Sequence, residues 1–141
     1  MSAFSNFLEG KIISHMLRNV SYGVPYANLY IALFDASGSS ANLELGTLTG
    51  EITGGSYVRL QVGAATGLDF DDPVLTGVTA NSSDFTFVAA TANWGTVTYM
   101  AIMDASTAGN VLFHGTLTVA KTVNNGDTFK FNIGDLTITL D

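Results

Sequence analysis

Thr128-Phe129-Lys130-Phe131-Asn132-Ile133-Gly134-Asp135-Leu136-Thr137-Ile138-Thr139-Leu140 is the stretch that decides the fold class. Phe129, Phe131 and Ile133 alternate with Thr128, Lys130 and Asn132. After the Gly-Asp break, Leu136, Ile138 and Leu140 alternate with Asp135, Thr137 and Thr139. A period of two sends successive side chains to opposite faces, so the stretch predicts two half-buried strands. Upstream, Asn124-Asn125-Gly126-Asp127 tolerates positive φ and is expected to turn a hairpin between Leu117–Val123 and Phe129–Ile133.

The same period recurs toward the N-terminus. Val58, Leu60 and Val62 alternate with Tyr57, Arg59 and Gln61, which predicts an apolar face and a polar face offered to water or a partner. Further strands are expected over Asp84–Val88, Thr96–Met103 and Val111–Thr118, with a weaker one at Leu48–Thr53. Ala105–Asn110 reads as a turn. Residues 36–45 and 63–83 read as longer stretches able to carry crossovers. Leu29–Phe34 is apolar on both faces, as a central strand is when the sandwich core covers one side and the N-terminal helix the other.

That helix is the one segment with a different period. All seventeen Thr lie at or beyond Thr47, and the first twenty residues are instead rich in Leu, Ile, Met and Phe. At 100° per residue, Leu8, Ile12, Ile13, Met16, Leu17 and Val20 share an arc of about 180°, opposite Lys11, Ser14, His15 and Arg18. The helix is expected to end between Asn19 and Gly23, ahead of Pro25. Phe4 and Phe7 fall outside the apolar arc. Either they face a partner, or the helix begins after Phe4 and the leading residues fold back. The expected architecture is a single domain over residues 1–141. A helical segment at 1–22 precedes an antiparallel, jelly-roll-like β-sandwich at 23–141.

Composition narrows the function classes. Apolar residues make up 47% and charged residues 12%, which argues for a folded chain. At 141 residues it is long enough to bury roughly 70% of its unfolded surface. With no cysteine, disulfides, thiolate catalysis and Cys-based metal sites are excluded. A net charge of −7 has the wrong sign for direct nucleic-acid binding. No apolar run approaches the roughly 20 residues of a membrane span, and the start lacks a secretory pattern, so synthesis in the cytoplasm is expected.

Catalytic motifs are scarce. His15 falls on the polar side of the helix, and His114 on a strand face with Leu112, Thr116 and Thr118. Neither has a nucleophile and an orienting acid at a recognisable spacing. Asp69, Asp71 and Asp72 place oxygens as a calcium loop would begin, but Pro73 follows and no distal Glu completes it, so a solvated loop is expected. Gly54-Gly55 lacks the lysine and strand-to-helix setting of a phosphate cradle. No catalytic, cofactor or metal residue is therefore assigned. What stands out is a hydroxyl-rich, charge-poor set suited to association: Tyr57, Thr96, Thr98, Thr116 and Thr118.

From Trp94-Gly95-Thr96-Val97-Thr98 onward the sequence resembles a family of small tailed-bacteriophage virion proteins, variously labelled tail fibre proteins or capsid cement and decoration proteins. The likeness continues through Ala101-Ile102, Asp104-Ala105, Gly109-Asn110, Leu112-Phe113-His114-Gly115, Lys121-Thr122-Val123-Asn124, Gly126-Asp127-Thr128 and Leu136 to Asp141. It also takes in Ser2 to Glu9, Leu29 to Phe34 and Gly54-Gly55-Ser56-Tyr57-Val58-Arg59. Residues 35–48 and 63–72 depart from it.

The resemblance implies a virion structural protein without catalytic residues or cofactors. Its first form is a cement protein bridging major capsid subunits around a DNA-filled head, as a homotrimer. Its alternative is a tail-associated or tail-fibre protein acting in host adsorption. Phe4, Phe7, Tyr57, Arg59, Thr96, Thr98, His114 and Thr116 are the expected contact residues. A sugar-binding or hydrolytic sandwich is the contrasting reading from another class.

Overall fold

The computed structural model describes residues 2–21, 28–63, 69–73 and 77–139. In chain order they form β1 (Ser2–Phe4), α1 (Asn6–Arg18), β2 (Leu29–Phe34), α2 (Ser40–Glu44) and β3 (Leu60–Val62). Then follow β4 (Val78–Ala80), β5 (Phe85–Thr86), β6 (Gly95–Met103), β7 (Val111–Val123), β8 (Lys130–Phe131) and β9 (Thr137–Thr139). An antiparallel sheet of order β1-β7-β6-β2-β3 is the first layer; the ribbons β4–β9 and β5–β8 make the second. The protein is mainly β and antiparallel, with a helix near its N-terminus.

The core lies between the layers. Ile31, Leu33, Val97, Met100 and Ile102 project from the five-stranded sheet onto Phe85, Phe131, Ile138 and the neighbouring Phe87, Phe129 and Leu136. Ring contacts run from Trp94 to Phe87 to Phe129 to Phe131 with centroids 5.2–6.4 Å apart, all near edge-to-face. Asn81, fully buried, bolts the second layer together. Its Nδ2 donates to the Ser83 and Asn132 carbonyls at 2.7 and 2.8 Å, and its Oδ1 accepts the Leu136 N–H at 2.9 Å. All of its side-chain hydrogen-bonding groups are therefore engaged, which is what makes a polar residue tolerable at that depth.

A smaller core lies on the other face of the sheet, where Ala32, Phe34, Ala101, Met103 and Val111 are covered by Leu43 of α2. The cover expected from the N-terminal helix is thus supplied by residues read as a crossover. Those residues nucleate a short helix because Ser39 Oγ accepts the Asn42 N–H at 3.1 Å.

The N-terminus also differs in detail. Residues 2–4 pair with β7, Phe4 opposite Phe113, so the leading residues do fold back and the helix begins after them. Ser5 makes the change of direction. Its N–H donates to the Leu112 carbonyl at 3.0 Å, its hydroxyl donates to the Val111 carbonyl, and the same oxygen caps the helix by accepting the Leu8 N–H. Asn19 ends the helix in the left-handed region, φ 53°, with its N–H on the Ser14 carbonyl. Gly23 and Pro25 lie outside the described residues. Of the apolar arc, Leu8 is buried and Ile12 half-buried, but Ile13, Met16, Leu17 and Val20 are exposed.

Three further expectations are corrected. Asn124–Asp127 does form a tight turn, the Asp127 N–H reaching the Asn124 carbonyl at 3.0 Å, yet β8 leaves it to pair with β5 and no hairpin with β7 forms. The strand expected at Leu48–Thr53 is reduced to a single bridge between Glu51 and Phe34. Finally, the expected alternation holds within β3, where Leu60 packs on the core, Gln61 is exposed and Val62 is buried, but it fails just before the strand, where Val58 is exposed and Arg59 is buried because its charge is paired inside.

Candidate functional site

The end of the molecule carrying the β6–β7 connection is built around Arg59. Its guanidinium grips Glu51 with both ends, Nε to Oε1 at 2.6 Å and Nη2 to Oε2 at 2.7 Å. The remaining terminal nitrogen, Nη1, donates to the carbonyls of Ala105 and Ala108 at 2.9 and 2.7 Å. A fork of fixed geometry thus ties the segment before β3 to the loop at 104–110. The Glu51 hydrogen bond pushes the guanidinium pKa further up, so the charge is permanent. Asp104 closes the same loop from within, accepting the Asn110 N–H and Nδ2 at 2.7 Å each. Ser106 and Thr107 stand exposed at its tip, beside a hollow of about 450 Å³ shared with Thr53, Gly54 and Val58.

Tyr57 is not part of a hydroxyl-rich surface. Its ring packs edge-on to Trp94 with centroids 5.3 Å apart, and its oxygen accepts the Leu33 N–H at 2.8 Å. Burial pushes its phenol pKa up. The threonines do gather. Thr96 faces Thr122 across β6 and β7, their hydroxyls 2.8 Å apart, and Thr116 and Thr118 follow on exposed positions of β7. Thr98 sits half-buried at the irregularity between Val97 and Tyr99. Beyond Thr116 on the same strand, His114 is buried beneath α2 with its Nε2 2.8 Å from Glu44 Oε2.

Phe4 is engaged by its own chain, its ring 5.1 Å from that of Phe113. Phe7 is half-buried, with the Lys11 ammonium 5.5 Å above its ring. His15 is exposed, its Nδ1 3.3 Å from the Val20 carbonyl. Among the described residues no three His, Asp or Glu side chains converge as a metal site would require. Of the three aspartates, Asp69 accepts the Gly63 N–H at 2.7 Å and serves the fold, whereas Asp71 and Asp72 are exposed.

They stand at the rim of a second hollow of about 650 Å³. Its floor is Leu29, Ile102, Phe113 and Ile138, and Phe70 and Pro73 form its wall. Sequence reasoning missed this hollow because its lining comes from five separated segments. It also missed the exposed apolar face of α1, since amphipathic periodicity was taken to mean burial against the chain's own sheet.

No helix among the described residues is long and apolar enough to cross a membrane. A search of curated proteins finds no match. Residues 3–139 match the family model described as Podophage GP4 fiber I protein gp80. That span includes every surface just described, and the chain accordingly belongs to this family of bacteriophage virion structural proteins.

Proposed function

We propose that the protein is a tail-associated module of the phage virion, a fibre component that works by adhesion and contributes to host adsorption, without transforming a substrate. The observation carrying this reading is the match to a podophage fibre family over residues 3–139. The geometry supports it. A compact sandwich presents a loop, 104–110, whose two ends are pinned by Asp104 and whose carbonyls are held by a buried arginine. Loops fixed on a rigid sheet are where recognition surfaces are commonly built, since little ordering entropy is lost on contact. The charge-poor threonine face of β6 and β7 suits burial against neighbouring virion proteins or further copies, a trimer among them, because no charge is stranded. Nucleic acid and membrane are not among the proposed partners.

The capsid form of the reading places the same surfaces on major capsid subunits, and one experiment separates the two. Antibody fragments raised against residues 104–110 are added to particles, and adsorption to host cells and DNA release on heating are measured. The tail reading expects slower adsorption and unchanged release. Unchanged adsorption, with particles lacking the protein losing DNA at lower temperature, would move it to the head.

A further inference from the structure

Arg59 shapes the loop at 104–110, and the fold leaves part of its bonding capacity over. A guanidinium carries five N–H donors. Four are engaged within the chain, two on Glu51 and one each on the Ala105 and Ala108 carbonyls. The fifth, on Nη2, has no acceptor among the described residues, although the side chain is only 4% exposed. Buried donors normally have a partner, charged ones above all. Glu51 has capacity left as well. Its carboxylate accepts two hydrogen bonds, both from Arg59, about half of what a carboxylate can take. Both side chains line the hollow of about 450 Å³ between the segment at 51–59 and the loop.

The rest of the lining suits a ligand rich in hydroxyl groups. Thr53, Ser106 and Thr107 present side-chain hydroxyls that make no hydrogen bond among the described residues, and each can both donate and accept. In the same lining Val58, 60% exposed, offers an apolar patch for the C–H face of a ring. The walls are set before contact. Ser56 holds φ 66° and Ala108 φ 49°, left-handed conformations that are costly for residues with a Cβ. The Ser56 hydroxyl lies 2.7 Å from that of Thr91, and the Ala108 carbonyl is held by Arg59. A hollow shaped in advance loses little ordering entropy when it is filled. Charge then selects the class of ligand. Arg59 and Glu51 are the charged residues of the lining and cancel one another. A cation would face the guanidinium, and an anion would face Glu51, the neighbouring Asp104 and a chain of net −7.

Resting on the adsorption reading above, we infer that this hollow is a saccharide site that takes a neutral, hydroxyl-rich ring of the host surface. One sugar hydroxyl accepts the fifth N–H of Arg59 and its neighbour donates to Glu51, so a vicinal pair satisfies both partners of the ion pair at once. Thr53, Ser106 and Thr107 take further hydroxyls, directly or through water. The volume falls within the range of small-ligand sites, about 300–1,000 Å³. A site of this size holds one ring weakly, and firm attachment needs several copies presented together.

The test applies the purified full chain to an array of neutral hexose and N-acetylhexosamine oligosaccharides, printed beside acidic ones that contain uronate or sialate. Members that bind are then titrated while the amide resonances are followed by NMR. Neutral members should bind, with shifts gathered at 51–59 and 104–110. Substituting Arg59 would disturb the fold, so the exposed hydroxyls carry the mutational arm. Ser106→Ala and Thr107→Val should each weaken binding roughly fivefold with melting unchanged. Absence of binding by every neutral member up to about 10 mM overturns the inference. So does a preference for the acidic members, a set of shifts centred on another part of the chain, or binding by both variants as tight as wild type. A blank array, with antibody fragments against 104–110 still slowing adsorption, would mean that the loop meets a host protein. The saccharide assignment would then fall while the adhesion reading stands.

Discussion

Replacing Arg59 by methionine tests whether the loop at 104–110 is held as described. The arginine side chain is 4% exposed and its partner Glu51 18%. Methionine keeps most of the volume and removes the charge and four hydrogen bonds. Ala108 is exposed and water can replace the donor to its carbonyl, so little is lost there. The cost concentrates on Glu51, a carboxylate left unpaired in a nearly dry site. Breaking a buried pair from one side costs about 3–5 kcal/mol, and the residual access of water to Glu51 sets the expectation at the lower end, about 3 kcal/mol. For a chain of this size, about 3–4 °C per kcal/mol gives a fall in Tm of about 10 °C.

The assay is thermal and urea unfolding of R59M, of E51L and of the double variant. Replacing both charges by apolar side chains should recover most of the loss, because neither is then left alone. Hydrogen exchange should show the amides of 104–110 losing protection in R59M. A loss under about 1 kcal/mol, or a double variant as unstable as R59M, would refute the reasoning.

Other outcomes follow from the same contacts. Asn81→Asp keeps the shape but turns a carboxylate oxygen toward the carbonyls of Ser83 and Asn132, and should cost about 3 kcal/mol or more in urea unfolding. Phe4→Ala removes a half-buried ring from Phe113 and should cost about 2 kcal/mol, below the value for a fully buried phenylalanine; a loss under about 0.5 kcal/mol would return Phe4 to the surface. The Lys130 ammonium beside Asp84 holds that carboxyl below its usual range. A depressed pKa in the fold means that the pair's stabilisation is present above the unfolded-state pKa and lost as pH falls through the folded one. Wild type should therefore exceed D84N in stability at neutral pH and converge with it in acid, and a constant gap would remove the pair from the account.

Much of the β architecture was legible because alternation reports burial directly. Phe129, Phe131, Leu136 and Ile138 are all buried, as their spacing predicts, whereas Ile133, expected on the same face as Phe129 and Phe131, is exposed because β8 ends at Phe131 and the chain turns there. Strand partners were not legible. The turn at Asn124–Asp127 satisfies every local rule for a hairpin, yet β8 goes to β5, since pairing is decided by long-range packing of Phe131 on Phe85. The reading of Val58 as core failed because the alternation was extended past the start of β3, to a segment where a buried bidentate ion pair turns Arg59 inward, and nothing in the sequence marks Arg59 as paired. His114, expected as a contact residue, is instead buried beneath α2, a helix hidden in a polar stretch that supplies Glu44. On α1 the pattern correctly gave an amphipathic helix. Periodicity records which face is apolar and is silent on whether the face is covered within the chain or by another copy.

The central claim is that this chain is an adhesive component of the phage tail. Imaging of intact particles with a labelled antibody fragment, followed by averaging of the density, tests it most directly. The account predicts label and added density confined to the tail. Density spread over the whole head, or particles complete without the protein, would contradict it.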